Sequence, residues 1–270
     1  MALAALVVLA APMSGDIELL LDQSGIDVEI CILDACDSDA SSVSGWLHID
    51  FDCLIDPRAI ALQDFDVQTD KDLYFHLDYG LRGDIYIYAK GLALYHADPG
   101  GQPFFPIVEG RFSLTGVTYL MRGTIEYEAT GLICVILQGL EIPCEGTIKL
   151  EEYPQGSADM NDGRVEIAEG VVMLSGEMEF DEPLDPQHPD MGRIKGTAVM
   201  NASGPMPVVG DLDRDDDVDL GDFAVLQLCF GGSTNPPDPA CPPGVNADLD
   251  CDDDVDLEDY AILAEMLTGP

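Results

Sequence analysis

Aspartates crowd two stretches of the chain. Residues 211–226 read DLDRDDDVDLGDFAVL, and residues 248–263 read DLDCDDDVDLEDYAIL. Carboxylates packed this closely repel one another unless a cation lies between them. A hard cation such as Ca²⁺ takes six to eight oxygen ligands, and a twelve-residue acidic loop can supply them. Calcium binding is therefore the chemistry that these two stretches indicate.

Both stretches fit the ligand positions of such a loop. With the first Asp of each stretch at position 1, carboxylates fall at positions 1, 3, 5, 9 and 12, and also at position 7, which normally contributes its carbonyl oxygen. A single acidic run is usually a solvated loop or a disordered tail, but two copies in one register argue against that interpretation. We predict two calcium sites, with candidate ligands Asp211, Asp213, Asp215, Asp217, Asp219 and Asp222 in the first loop and Asp248, Asp250, Asp252, Asp254, Asp256 and Asp259 in the second.

Each loop leads into an apolar helix, while Pro and Gly precede each loop and exclude a convincing entering helix. Val218 and Val255, at position 8, are expected to pack between the two loops. The helices carry matching apolar faces, formed by Phe223, Val225 and Leu226 in the first and by Tyr260, Ile262 and Leu263 in the second.

These loop–helix repeats resemble the type I dockerin family, whose EF-hand-like modules also have Asp at position 12. The resemblance covers residues 211–267 and implies a small α module in which two helices pack together and each loop holds one calcium ion. Position 6, commonly Gly, is Asp216 or Asp253 here, so an Asp must adopt a positive φ. Dockerins that bind cohesins present small hydroxyl residues at positions 10 and 11. A cohesin-like partner is implied by the family, but those positions are Leu220, Gly221, Leu257 and Glu258.

The elements before these loops are predicted strands. Residues 16–200 consist of short segments with period-two alternation, separated by Gly, Pro, Asp and Asn. In residues 45–53, for example, Leu47, Ile49, Phe51 and Cys53 share one face. We predict an antiparallel β-sandwich or barrel-like domain, with a tight hairpin at residues 169–170 and a short helix within residues 130–140. Residues 201–210 are predicted as a linker and residues 211–270 as the dockerin-like module.

Aromatic side chains and histidines occupy the other face of several strands. If those strands are neighbours, the rings could form a platform for the sugar rings of a polysaccharide, although they could equally pack across strands. Packing is the simpler interpretation. The candidate residues are Trp46, His48, Tyr74, His76, Tyr86 and Tyr88.

The N-terminus and the cysteines indicate export. Residues 1–14 form an apolar run that ends in small residues, as in a signal peptide, and the absence of a preceding Lys or Arg suggests a truncated signal. Eight cysteines in an exported chain favour disulfides. We predict Cys134–Cys144 and Cys229–Cys241. Five cysteines before residue 201 and three after it leave either one bridge between the two parts or an unpaired thiol in each.

Charge and motifs limit the function classes. The formal net charge of −41 repels nucleic acid and anionic membranes, and no stretch is long and apolar enough for a membrane span. The four histidines belong to no recognised catalytic motif, so an enzyme is not favoured. We expect a secreted, extracellular or cell-surface protein that is not catalytic and whose calcium module stabilises the β-domain or attaches it to a protein partner. The alternative is a carbohydrate-active protein that binds or degrades polysaccharide.

Overall fold

The computed structural model describes residues 17–184, 192–215, 217–242 and 245–267. The predicted signal peptide, residues 1–14, lies outside these ranges. The strands are β1 (Ile17–Leu21), β2 (Ser24–Ile32), β3 (Ala35–Phe51), β4 (Ala59–Thr69), β5 (Leu73–Asp78), β6 (Asp84–His96), β7 (Phe105–Pro106), β8 (Arg111–Ala129), β9 (Glu145–Lys149), β10 (Gly156–Ala168), β11 (Val171–Pro183) and β12 (Gly192–Pro205). The helices are α1 (Gly131–Gly139), α2 (Leu220–Cys229) and α3 (Leu257–Met266), with 3₁₀ turns at Gly80–Arg82 and Leu150–Glu152.

The strands form one antiparallel sheet whose pairings return to their starting point. The order β3-β2-β12-β11-β10-β8-β6-β4 is closed by a further pairing of β3 with β4. β1 pairs with both β3 and β12. Of the short strands, β5 pairs with β6, β7 with β4 and β9 with β8. The prediction of a mainly β, antiparallel domain is confirmed, and its pairings are ring-like.

Alternation along the strands builds the core. Leu47, Ile49 and Phe51 are at most 1% exposed, so the predicted inward face of β3 is confirmed. On β5, Leu73 and Phe75 are fully buried and belong to a second apolar cluster, which is distinct from the one around β3. Successive side chains of a strand point to opposite faces of the sheet, so only alternate residues are buried when one face is packed against the core.

Two local predictions are also confirmed. β10 ends at Ala168 and β11 begins at Val171, and the intervening Glu169 and Gly170 have φ of 53° and 75°, as a two-residue hairpin requires. The short helix predicted within residues 130–140 is α1, which buries Ile133 and Leu137.

Four disulfides pair all eight cysteines. The predicted bridges Cys134–Cys144 and Cys229–Cys241 are present, together with Cys31–Cys36 across the β2–β3 hairpin. The fourth, Cys53–Cys251, joins residues 198 positions apart and is the bridge between the two parts of the chain. Of the two alternatives that the odd cysteine counts left open, the inter-domain bridge is therefore the one that forms. In the chain-entropy model a closure of this length contributes about 5 kcal/mol.

The predicted linker begins too early. β12 extends to Pro205, so residues 201–205 belong to the sheet and only residues 206–210 connect it to the first acidic loop. Ala202 is buried opposite Leu174, and Ser203 pairs with both Met173 and Leu20. Gly204 does not break the strand. It allows β1 to approach, since a Cβ there would lie 2.1 Å from the carbonyl oxygen of Glu18.

Within the described ranges, no helix has the length and apolar character needed to cross a membrane.

The close approach at Gly204 yields a first prediction. Gly204→Ala should destabilise the β-domain by about 2–3 kcal/mol, because the added methyl group meets backbone that cannot move aside. Gly139→Ala, at the end of α1, is the control, since nothing lies within 4 Å of a Cβ there. Thermal unfolding of the two variants decides the matter, and equal melting temperatures would show that β1 does not pack against β12 as described.

Candidate metal centre

Each acidic loop is joined to its helix by a capping box. Asp219 caps α2 and accepts a hydrogen bond from the N–H of Gly221, while Asp222 accepts one from the N–H of Asp219 at 2.8 Å. Asp256 and Asp259 make the equivalent bonds at the start of α3, where the N–H of Asp256 lies 2.7 Å from Asp259. Loop positions 9 and 12 are therefore held in place by the helix start itself.

The position 12 carboxylates are the most buried charged groups of the module. Asp222 and Asp259 are both 0% exposed. The Oδ1 atom of Asp222 accepts hydrogen bonds from the N–H groups of Leu212 and Asp213, and Oδ1 of Asp259 accepts the matching pair from Leu249 and Asp250. Each carboxylate thus ties the beginning of its loop to its end.

The early loop positions also repeat. Oδ1 of Asp211 accepts the N–H of Asp215 at 3.1 Å, and Oδ1 of Asp248 accepts the N–H of Asp252 at the same distance. Position 6 of the second loop, Asp253, has φ of 73°, which confirms the predicted left-handed residue. Asp216, at position 6 of the first loop, lies outside the described residues.

Several predicted ligands come together. Asp211, Asp213 and Asp222 offer oxygens within 4.8 Å of one another, as do Asp217, Asp219 and Asp222. In the second loop Asp248, Asp250 and Asp259 form the corresponding group.

Glu258 was not predicted as a ligand, yet its carboxylate groups with those of Asp250 and Asp252. It occupies position 11, where the first loop has Gly221. This difference between the copies is the sequence signal that could have added Glu258 to the candidate ligands of the second loop.

The electrostatics of the loops follow from this crowding. Residues 211–267 contain 15 Asp and two Glu but only one basic residue, Arg214. Burial, followed by the charges of Asp259, Asp252 and Asp248, raises the pKa of Asp250 to about 6. In the first loop the nearby charge of Asp215 raises the pKa of Asp217. A divalent cation would oppose these shifts, because it stabilises the ionised carboxylates.

Among the described residues of the two acidic loops, two buried carboxylate oxygens have no hydrogen-bond donor. They are Oδ1 of Asp250 and Oδ1 of Asp254, and the whole side chain of Asp254 is only 4% exposed. A buried carboxylate oxygen without a partner is costly unless something else compensates its charge. Asp250 belongs to the group with Asp248 and Asp259, where a bound cation would compensate the carboxylate charge.

The apolar residues of the repeats support the two loops. Val218 and Val255 are 5% and 0% exposed and belong to one cluster with Leu226 and Leu263, as the sequence indicated. Phe223 of α2 lies 5.4 Å from Tyr260 of α3, measured between ring centroids. The module therefore has a small core in which both helices and both loops take part.

The predicted aromatic platform divides into two groups. On the β5–β6 hairpin, Tyr74 lies beside Tyr88 with centroids 4.9 Å apart, and His76 stacks on Tyr86 at 4.8 Å. Trp46 and His48 form a separate pair at 4.4 Å on β3.

The strand geometry separates these groups. β3 meets β5 at Asp39, whose carboxylate accepts the N–H of Tyr74, and Trp46 lies seven residues further along β3. At about 3.3 Å per residue, this places the Trp46 pair roughly 20 Å away. The six side chains therefore do not form one continuous surface.

Comparison with known proteins does not assign a family. No protein-family model matches the chain, and no curated protein matches it in sequence. One solved structure, Ail, the attachment invasion locus protein of Yersinia pestis, in complex with the heparin analogue sucrose octasulfate, aligns with 70% of this chain and 97% of its own. The identity is 7% and the TM-score 0.27, and a similarity this weak supports no argument about fold or function.

The capping carboxylates yield a second prediction. Asp259→Ala should lower the stability of α3 by about 1–3 kcal/mol, because three backbone N–H groups lose their acceptor. Glu265→Gln on the exposed side of α3 removes one charge and serves as the control. The measurement is the thermal melt of the helical circular dichroism signal in saturating calcium, where an unchanged melt of Asp259→Ala would contradict the described loop closure.

The tyrosine pair yields a third prediction. A double-mutant cycle on Tyr74→Ala and Tyr88→Ala should give a coupling free energy of about 0.5–1 kcal/mol, because the rings pack across the β5–β6 hairpin. The same cycle on Tyr74 and Tyr95, which is seven residues from Tyr88, should give a value near zero. A near-zero coupling for the first pair would remove the packing interpretation of these rings.

Proposed function

We propose that this protein is a secreted, non-catalytic calcium-binding protein. In this proposal residues 211–267 form a dockerin-like module with two calcium ions, which stabilises the β-domain or attaches it to an extracellular or cell-surface partner. The observation that carries the proposal is the repetition, in both loops, of the same buried position 12 carboxylate with the same backbone hydrogen bonds. Because the two loops hold their carboxylates in the same arrangement, we expect both to bind the same kind of ion.

The donor set supports calcium in particular. All the grouped donors of the two loops are carboxylate oxygens, which suit hard cations, whereas zinc favours the sulfur and nitrogen ligands of Cys and His. The one cysteine within these loops, Cys251, is held in a disulfide. Asp211, Asp213, Asp219 and Asp222 would contribute to the first site. Asp248, Asp250, Asp256 and Asp259 would contribute to the second, with Asp215, Asp217, Asp252 and Asp254 completing the positions that the sequence predicted.

The arrangement of helices supports the dockerin-like interpretation. Each loop is followed by a helix of 10 residues, and residues 206–210 and 245–247, which precede the loops, are not helical. Loop followed by helix, twice, is the pattern that the resemblance implies. Leu220 and Leu257, at position 10, are 71% and 69% exposed at equivalent places in the two copies, so a partner at this surface would meet apolar side chains rather than hydroxyls.

The disulfides support an extracellular location. Four bridges in one chain are typical of an oxidising, extracellular setting. Extracellular loops of this kind bind calcium with dissociation constants of about 10⁻⁴ to 10⁻³ M. With free calcium at a hundred times the dissociation constant, each site would stabilise the module by about 2.7 kcal/mol.

A carbohydrate-active protein is the second candidate, and the exposed tyrosines favour it. Tyr74 and Tyr88 are 41% and 44% exposed, which leaves part of each ring accessible to a sugar. Retention on insoluble polysaccharide that is lost in Tyr74→Ala/Tyr88→Ala, with folding intact, would support this candidate. Retention of this variant equal to that of the native chain would exclude a role of the two tyrosines in binding polysaccharide.

Chelation tests the main proposal. Removal of calcium should abolish the helical signal of α2 and α3 and leave the β-domain folded, because only the module depends on the metal to neutralise its carboxylates. Equilibrium dialysis should detect two bound calcium ions per chain, and one in Asp250→Asn, while Glu265→Gln retains both. A helical signal indifferent to chelator and to added calcium would show that the proposal is wrong.

A further inference from the structure

The two acidic loops have nearly the same sequence but different surroundings. At position 4 the first loop has Arg214 and the second has Cys251, and the two residues share a left-handed backbone, with φ of 65° and 63°. Cys251 is bonded to Cys53 of the β-domain, while position 4 of the first loop has no such covalent connection. The two loops can therefore be compared within one chain, since the second is covalently bonded to the β-domain at position 4 and the first is not.

The anchor point on the β-domain is rigid. Cys53 is 3% exposed and follows β3, whose last residue, Phe51, is fully buried. The turn after β3 is fixed by Asp52, whose carboxylate accepts the N–H groups of Arg58 at 2.9 Å and Ala59 at 2.7 Å. A bridge to this position restrains the second loop against a fixed frame.

The bridge enters the second loop where the loop wraps around its first ligand. The residues directly after Cys251 donate their backbone N–H groups to Asp248: Asp252 to Oδ1 at 3.1 Å and Asp253 to Oδ2 at 2.9 Å. Restraining Cys251 therefore restrains the turn that places the carboxylate of Asp248.

The far side of the second loop is restrained by the segment between the two repeats. Gly231 and Gly232 donate their N–H groups to the carbonyl oxygen of Val255, and Thr234 donates its N–H to Oδ2 of Asp254. That segment is itself closed by Cys229–Cys241. Positions 7 and 8 are thus restrained by hydrogen bonds in addition to the covalent restraint at position 4.

The second loop is also the more buried of the two. Asp254 and Asp256, at positions 7 and 9, are 4% and 7% exposed, whereas Asp217 is exposed and Asp219 is half-buried. Without metal, the buried carboxylates of the second loop repel one another in surroundings that screen charge poorly. A cation bound at the second loop therefore relieves more charge repulsion than one bound at the first loop. It also costs less conformational entropy, because the second loop is already restrained before the metal binds.

We propose that the second loop is the tighter of the two calcium sites and that the Cys53–Cys251 bridge sets its affinity. The proposal rests on the calcium function above and adds that metal binding at this loop is energetically linked to the covalent attachment of the module to the β-domain. The first loop, which lacks a bridge at position 4, is the weaker site and fills after the second.

Calcium titration of the full chain by calorimetry tests this linkage. The native protein should show two classes of site whose dissociation constants differ by about tenfold, and Asp250→Asn should remove the tighter class. In Cys53→Ser/Cys251→Ser the tighter site should weaken by about tenfold while the weaker site is unchanged, because only the second loop loses its anchor. Cys134→Ser/Cys144→Ser, which removes a bridge within the β-domain, is the matched control and should leave both affinities as they are.

The outcomes separate this inference from the proposed function. No calcium uptake by the native chain would refute the proposed function. Two calcium ions bound with the same affinities in the native chain and in Cys53→Ser/Cys251→Ser would refute the linkage and leave the function standing.

A second measurement on the native chain applies if the double Ser variant does not fold. A small dithiol reduces the bridge by transferring two electrons and two protons, so that Cys53 and Cys251 become thiols and the dithiol becomes a disulfide. Linkage is reciprocal, so a tenfold effect of the bridge on calcium affinity requires calcium to lower the midpoint potential of this bridge by about 30 mV. The midpoint is read from alkylated peptides by mass spectrometry, and a potential unmoved by calcium would overturn the inference.

Discussion

Repulsion among carboxylates is the constraint on which the C-terminal part of this protein depends. Fifteen aspartates lie in residues 211–267 with one arginine among them, and the fold brings many of their oxygens within 4.8 Å of one another. Backbone N–H groups and helix N-termini offset part of the charge, most completely at the buried Asp222 and Asp259. They leave Oδ1 of Asp250 and of Asp254 without a donor. These remaining carboxylate charges are the physical basis of the calcium proposal, because carboxylate oxygens are the donors that a hard divalent cation takes.

The β-domain and the acidic loops are not independent parts. A simple linker, as the sequence suggested, would allow the module to move freely at the end of the chain. The structure instead shows strand β12 continuing to Pro205 and a disulfide joining Cys53, beside the buried end of β3, to the second loop.

The β-domain contributes rigidity through closure of its strand pairings. Two apolar clusters fill the inner faces of the sheet, and the pairing of β3 with β4 leaves fewer unpaired backbone groups on these two strands. The aromatic pairs of the β5–β6 hairpin pack in cross-strand contacts, while Trp46 and His48 are neighbours on β3, so the exposed tyrosines of the hairpin form a local feature.

Short-range features were determined by the sequence alone. The spacing of the acidic positions in both loops, the helices that follow, the inward face of β3, the Glu169–Gly170 hairpin and the two short disulfides depend on residues at most 12 positions apart. Over such distances spacing and local backbone preference fix geometry. Tertiary structure alone decided which cysteine pairs with Cys251, how far β12 extends, and that Trp46 lies apart from Tyr74 and Tyr88. These outcomes depend on which distant strands pack together. An example is β12, which continues through Gly204 because the missing side chain there allows β1 to approach. A period-two pattern states which face of a strand is buried, but it does not state against which neighbour, and that choice rests on packing over the whole chain.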